Sequence, residues 1–564
     1  MSAGGQVRVS TRAAGPLCVL VAAAAIFAFL PALDGWWLSW DDEINFVDNP
    51  HFRGLGARQL AWMLTTTQLA VYQPLSWMTL GANYVFGGLD PWGYHLVNLV
   101  LHGAAAALFF LVAARLLRAG LGPTAGDEAV LAGALAAGLV FAVHPLRAES
   151  VAWVTERRDV LCGALYLAAV LAYLRGVEGG GGLRGTWRAV SLGAFAAAIA
   201  AKGLAITLPL SLLVLDVYPL RRAGALGWAR LVREKLPFAV LAALGAVAAL
   251  WAVSRDARWT GYAEQGPDAR VAMIAYSLWF YPSRLVWPVG LSPYYEMPER
   301  IALTEGRFLG PVLAVLAVTV LLVAARRRWP AGLAAWTHSA IALAPVSGAV
   351  HAGAQLAHDR FSYLSGLGFA LAAGGAVAWL VVRWRRRAVS GTVAGAAAAV
   401  GALGVLALAA GAWEQSKVWR NSESLWWTAA ATDPACALCR VNLGNVLYGQ
   451  RRFREAEAAY RAAVALRPRR PEPHNNLGIA LAAQGRYAEA EPAFREALRL
   501  SPDMAGALAN LGTLYADQQR WNEAAPLLRR AIELGPDTRE LRATMVRVDR
   551  EAPARVEREE SASR

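Results

Sequence analysis

From Leu17 to Ala412 the chain alternates apolar runs of Ala, Leu, Val and Gly with short polar segments, and beyond Ala412 those runs stop. Long runs nearly free of charge predict helices able to cross a bilayer. Eleven are predicted, over residues 17–34, 94–114, 129–145, 158–175, 188–201, 203–219, 236–253, 307–325, 332–350, 361–382 and 391–412. The pair 188–201 and 203–219 is short, as tilted or merged helices would be. A twelfth apolar segment, Val271–Val289, carries Tyr276, Trp279, Phe280, Tyr281 and Trp287. Those aromatics suit a headgroup belt, so it reads as an interfacial or re-entrant helix. The predicted fold class is all-α, with a polytopic membrane domain over residues 1–412 and a helical domain after it.

Charge supplies the expected topology. Basic residues cluster at Arg115 and Arg118, at Arg175, Arg184 and Arg188, at Arg221 to Lys235, at Arg326–Arg328 and at Arg383–Arg387. With eleven crossings and a cytoplasmic N-terminus, every cluster falls on the cytoplasmic side. The polar segments 35–93, 144–158 and 255–300, Lys202 and segment 351–360 then share the outer side with the C-terminal domain. A mean hydropathy of +0.35 agrees with a membrane protein. The net charge of +14 lies in these anchors rather than in a stripe, so no nucleic-acid partner is expected. Arg8 and Arg12 precede the first run, but no small-x-small site follows before Trp36-Trp37, so an uncleaved first helix is expected.

Past Ala412 the pattern becomes periodic. Pro434, Pro468, Pro502 and Pro536 are spaced by 34, as are Asn442, Asn476 and Asn510, Gly444, Gly478 and Gly512, and Ala456, Ala490 and Ala524. This period, with Leu-Gly in one helix and Ala in the next, is the signature of tetratricopeptide repeats, an α-solenoid. Three repeats are expected over 435–536, preceded by a capping half-repeat over 413–434 that packs on the membrane domain. A charged tail over 537–564 is expected to be disordered after about residue 552. Gly and Ala mark where paired helices approach most closely. Asn442, Asn476 and Asn510 recur on one face and are candidate ligands for an acceptor or partner polypeptide; a plain spacer is the alternative. Pro492 and Pro526 stand inside second helices, where proline is unfavourable. Cys436 and Cys439 form a CxxC, but Arg440 stands where haem attachment needs His. A disulfide at i,i+3 within a helix is strained, so these cysteines read as packing residues.

The polar residues of the membrane part carry the candidate chemistry. Asp41, Asp42 and Glu43 follow the first span. His95, Asn98 and His102 share one face of the second. His144-Pro145 should stop the third span, and Glu149, Glu156, Arg157, Arg158 and Asp159 crowd the segment behind it. Lys202 separates two apolar stretches, and His358, Asp359 and Arg360 open the tenth span. The combination offers carboxylates able to take a proton and cations able to hold a phosphate. Salt bridges and snorkelling side chains are the plainer alternative for each residue alone. The histidines permit a divalent metal but have no recognised ligand spacing, so no metal or other cofactor is expected to be required.

These segments resemble a known family. Trp40-Asp41-Asp42-Glu43 with Asn49-Pro50, Gln73-Pro74-Leu75-Ser76, His95 with Asn98 and His102, His144 to Trp153 with Glu156 to Asp159, Lys202 with Asp216 and Pro219, and Asp359-Arg360 with Tyr363 look like bacterial relatives of the transmembrane and tetratricopeptide repeat-containing O-mannosyltransferases. The resemblance runs over nearly the whole chain. It implies a GT-C glycosyltransferase fold, a polyprenyl-phosphate sugar as donor, a protein hydroxyl as acceptor, and a bacterial inner-membrane location. Catalysis by an acidic pair in the first outer loop would fall on Asp41 and Asp42, with Glu43 extending it. The stretch Asp42 to Phe46 also resembles the Asp-Glu element of protein O-mannosyltransferases, which favours Asp42. Arg158 stands where relatives often carry Lys, keeping the charge. Donor phosphate or sugar would meet Arg157, Arg158, Lys202, Glu149, His144, His95, His102, Asp359 and Arg360. A non-catalytic GT-C-like scaffold whose repeats recruit partners, and a transferase acting on a lipid or glycan, are the other readings.

Overall fold

Proline and polar interruptions decide where the helices of the membrane part end. A computed structural model of the chain describes residues 11–178, 182–255, 266–349, 355–535 and 538–562. Within 255–300 and 351–360, residues 256–265 and 351–354 therefore lie outside the described residues, as does Pro536.

Each predicted span coincides with a helix, but far fewer than eleven are long and apolar enough to cross a membrane. Six qualify among the described residues: Pro91–Leu121, Val154–Val177, Trp228–Ser254, Gly306–Arg327, Leu367–Arg385 and Gly391–Val418. A seventh forms if Asp127–Ala142 and Pro145–Ala152, bent by 54°, count as one. The count of eleven is thus not reached, because the remaining helices are short. Ala13–Ala28 and Gly203–Val217 are apolar but brief. Pro330–Leu343 has 14 residues. The twelfth segment is a helix, Pro267–Val286, with Asp268 and Arg284 at its ends.

Helix Pro91–Leu121 is central: it packs on Thr11–Ala28, Asp127–Ala142 and Arg157–Val177. Asp127–Ala142 and Leu367–Arg385 meet backbone to backbone at Gly133 and Gly374, where a Cβ on Gly133 would lie 2.6 Å from the Gly374 carbonyl oxygen. Helices Gly306–Ala324 and Gly391–Val418 leave Leu313, Leu316, Val320, Val400, Leu403 and Leu406 exposed, as lipid-facing helices do. A two-stranded antiparallel ribbon pairs Tyr295 with Ala357 and Glu296 with Gln355.

The chain divides into two compact units, Met1–Asn421 and Ser422–Arg564. The boundary lies later than the sequence suggests, because helix Gly391–Val418 continues past Ala412 without a break. In the second unit, helix Ser422–Thr432 packs on Ala437–Gly449. Three helix pairs follow, Ala437–Gly449 with Phe453–Leu466, Pro471–Ala483 with Tyr487–Leu500, and Ala505–Asp517 with Trp521–Leu534. The glycines act as predicted. A Cβ would come within 2.5 Å of Tyr460 at Gly444, 2.7 Å of Phe494 at Gly478 and 2.8 Å of Leu528 at Gly512.

The expected charged tail is helical over Arg539–Ala562. Leu541, Met545 and Val548, spaced at i, i+4 and i+7, pack it into the core of the last repeat. The cysteine expectation is also corrected, since Cys436 and Cys439 are joined in a disulfide with Cα atoms 5.4 Å apart. Cys436 is the residue before the helix, with φ −73° and ψ 100°, so the bridge is not confined to helical geometry.

Candidate active site

The site is assembled by two breaks in helical structure. Pro145 ends helix Asp127–Ala142, and His144 Nδ1 accepts the Leu146 N–H at 3.2 Å across the bend. A short helix, Ala148–Ala152, and a single 3₁₀ turn, Val154–Glu156, then lead into helix Arg157–Val177. This zigzag buries Glu149, Trp153, Thr155, Glu156 and Asp159 within a few residues of one another. The second break is at Lys202, extended at φ −157° and ψ 129° between helix Gly185–Ala201 and the turn at Gly203. Ser76 donates to the Ala201 carbonyl at 2.9 Å, which ties the Gln73-Pro74 segment to this break.

The acidic triplet separates by burial. Asp42 is 1% exposed, Asp41 is half-buried and Glu43 is exposed. The Asp42 carboxylate accepts three hydrogen bonds, from Leu38 N at 3.1 Å, Trp153 Nε1 at 3.0 Å and Thr155 Oγ1 at 2.6 Å. Asn45 donates to the same Thr155 hydroxyl at 3.2 Å. Burial raises the Asp42 pKa to about 7 against the lowering effect of these donors. A carboxyl that titrates near neutrality suits a general base.

Behind Trp153 lies a cluster of three cations and three acids. Arg158 holds Glu156 through Nε at 3.0 Å and Nη2 at 2.5 Å. Lys202 Nζ reaches Glu156 at 3.1 Å and Asp159 at 2.5 Å. The Arg360 backbone N–H donates to Glu149 at 2.9 Å, its guanidinium also bonds Glu149, and its Nε lies 3.3 Å from Glu156. The Arg158, Lys202 and Arg360 side chains are 10–12% exposed, whereas those of Glu149, Glu156 and Asp159 are 0–4% exposed. The three cations are thus slightly more exposed than the three acids they hold. The Arg360 guanidinium lies 5.7 Å from the centre of the Trp153 ring, whose indole N–H binds Asp42. Trp153 thus links the base candidate to Arg360 of the ion cluster. Trp40 and Trp419 both stack on it, at 4.6 and 5.5 Å between ring centres.

Other predicted site residues are placed elsewhere. Arg157 is wholly buried, and its guanidinium binds Asn83 Oδ1 and the Tyr94 carbonyl, both at 2.8 Å, together with Asn98 Oδ1. It fastens three parts of the fold and presents nothing to a ligand. His102 is held by the Tyr363 hydroxyl and the Ala142 carbonyl, each at 2.9 Å. His144 binds the Leu285 carbonyl at 3.1 Å. His95 is buried against Gly35, where a Cβ would lie 2.6 Å from its Nε2. Asp359 faces away from the cations and accepts from the Tyr295 hydroxyl at 2.9 Å. Burial, then the nearby Glu149 charge, holds the Asp359 pKa well above the usual carboxylate range. No three His, Cys, Asp or Glu side chains converge as metal ligands among the described residues.

Sequence reasoning did not single out Thr155 and Trp153 as partners of Asp42. Their signal was proximity to the Glu149–Asp159 run, but only the fold brings residue 42 to them. In the repeats, Asn476 donates to Asn445 at 3.1 Å and Asn510 to Asn475 at 2.9 Å. Two of the three recurring asparagines therefore also join one repeat to the next.

Comparison with known proteins follows the same division of the chain. The tetratricopeptide repeat family pattern matches residues 441–505 and 475–539. The chain is 39% identical over 104 residues to protein O-mannosyl-transferase tmtc2 of Xenopus laevis, covering 18% of this chain and 11% of that protein. It is 30% identical over 234 residues to protein O-mannosyl-transferase TMTC4 of Mus musculus, covering 38% and 31%. Among solved structures, the first tetratricopeptide domain of Spaghetti (RPAP3) bound to an HSP90 peptide covers 22% of this chain and 96% of its own, at 23% identity and a TM-score of 0.21. The matched part thus spans a tenth to a third of these transferases' own length. The chain is a protein of the all-α class with membrane-type apolar helices and tetratricopeptide repeats, similar over part of its length to protein O-mannosyl-transferases.

Proposed function

We propose that this chain transfers a sugar, mannose or a similar hexose, from a polyprenyl-phosphate donor to Ser or Thr hydroxyls of polypeptides presented by its repeats. The observation that carries the proposal is the arrangement around Trp153: a buried carboxylate titrating near neutrality on the indole edge, and Arg360 of the ion cluster beside the ring. The likeness to protein O-mannosyl-transferases supports the sugar-transfer chemistry.

In the proposed reaction Asp42 takes the proton of the acceptor hydroxyl. The oxygen attacks the anomeric carbon, the bond from that carbon to the phosphate oxygen breaks, and the configuration inverts. The leaving lipid phosphate gains one negative charge. Arg158, Lys202 and Arg360 stand where that charge is stabilised, a role that favours catalysis when the donors are fixed in advance. In this reading the site and the repeats lie outside the cytoplasm. The Cys436–Cys439 bridge supports this, because such bonds persist in oxidising compartments.

The test is transfer of sugar from a polyprenyl-phosphate hexose to a Ser/Thr peptide by purified full-length protein. Wild type should transfer, and Asp42→Asn should not. Full activity in both Asp42→Asn and Asp41→Asn would overturn the assignment. One observation favours the scaffold reading: Arg158, Lys202 and Arg360 are already matched by Glu149, Glu156 and Asp159, which is also the balance of a purely structural network. A wild-type protein that consumes no lipid-linked sugar would select it.

A further inference from the structure

The membrane part holds a cavity of about 590 Å³, walled by helices Pro91–Leu121, Arg157–Val177, Leu208–Val217, Pro330–Leu343 and Leu367–Arg385. Its volume falls in the range of ligand sites. Tyr166 lines it seven residues beyond Asp159 on one helix, which places that side chain two turns, about 10 Å, from the ion cluster. Tyr363 packs so tightly on Gly163 that a Cβ there would lie 2.3 Å from its ring. The Tyr363 hydroxyl is anchored to His102 at 2.9 Å.

The far end is different. Arg328, Trp329, Trp379 and Tyr218 line it, and both tryptophans are more than half exposed. Arg328 is exposed, closes the run Arg326–Arg328, and has no carboxylate partner among the described residues. An apolar slot whose mouth carries an unpaired cation and amphipathic aromatics has the chemistry of a lipid headgroup boundary. At its inner end the Tyr166 hydroxyl is buried beside Ser211 and Thr207.

We propose that this cavity binds one anionic phospholipid from the leaflet opposite the ion cluster, with an acyl chain in the slot and the phosphate on Arg328. The cavity is lined by none of Asp42, Arg158, Lys202 and Arg360, so the site is distinct from the donor's. The proposal does not depend on the transfer reaction.

The test uses full-length protein purified in detergent and stripped of lipid. Native mass spectrometry then follows titration with dioleoyl phosphatidylglycerol, dioleoyl phosphatidylcholine or a polyprenyl phosphate. One phosphatidylglycerol should bind roughly fivefold tighter than phosphatidylcholine, the preference expected of a single arginine near the headgroup. Arg328→Gln should abolish that preference. Ala372→Trp, which fills the slot, should remove the bound lipid. Because Arg328 is exposed, its variant keeps the test decisive if Ala372→Trp does not fold. Unchanged phosphatidylglycerol binding in Arg328→Gln would overturn the proposal, as would displacement of phosphatidylglycerol by polyprenyl phosphate.

Discussion

Charged residues serve opposite purposes in the two units of this chain. In the repeats they are periodic and the arginines partly exposed: Arg452, Arg486 and Arg520, spaced by 34, reach back to Glu423, Glu457 and Glu491 at 2.6, 2.6 and 2.8 Å. In the membrane part Glu149, Glu156 and Asp159 are buried and follow no repeat. Exposed pairs are individually weak and screened by salt, so their value is in repeating one geometry. Buried ions are costly to desolvate and persist only where every partner is in place. Unrepeated buried charge therefore marks where this molecule departs from what folding alone requires.

The contrast can be broken most forcefully at Asp42. Asp42→Asn should lower transfer by about 10²–10⁴-fold, the span attributed to a general base. A loss under threefold in correctly inserted protein would return Asp42 to a structural role. The pH profile sharpens the same point. With its pKa raised to about 7 by burial, Asp42 is protonated in the folded state well above the unfolded carboxylate value of about 3.9. Catalytic competence should rise with pH through about 7. The stability contribution runs the other way: the folded state binds the proton more tightly, so this group's contribution declines between about pH 4 and 7. An unchanged kcat/KM inflection in Asp42→Asn would assign it to another group.

Next in size is Arg360→Met. Removing this guanidinium leaves Glu149 and Glu156 short of a buried partner, for an expected loss of about 3–5 kcal/mol in stability. Thermal unfolding in detergent measures it, and an unshifted transition would show that the cluster relaxes. Gly478→Val should cost about 1–3 kcal/mol by forcing a side chain against Phe494. Protease sensitivity of the repeats would report it, and wild-type resistance would show that the helix pair opens freely. The smallest effect belongs to the ladder. Arg486→Ala should leave unfolding of the repeats nearly unchanged despite its contacts with Glu457 and Glu489. A large loss there would erase the distinction drawn between the two units.

The sequence by itself determined whatever depends on neighbours along the chain. Periods of 34 placed Gly444, Gly478 and Gly512 at helix contacts, and runs without charge placed the membrane helices. His144-Pro145 announced its bend because proline removes a backbone donor locally. The span count overshot because apolar composition does not say whether a short helix crosses alone. Only the tertiary structure decided the roles of equivalent charges. Arg157 and Arg158 are adjacent, yet one is spent on Asn83 and Asn98 while the other joins the ion cluster, since successive helical residues point in different directions. The acids at 41–43 divide the same way. Their identity was plain in the sequence, but which one is buried against Trp153 and Thr155, and so titrates near neutrality, depends on residues 111 and 113 positions away. Burial and long-range hydrogen bonds set that chemistry, and neither is written in local order.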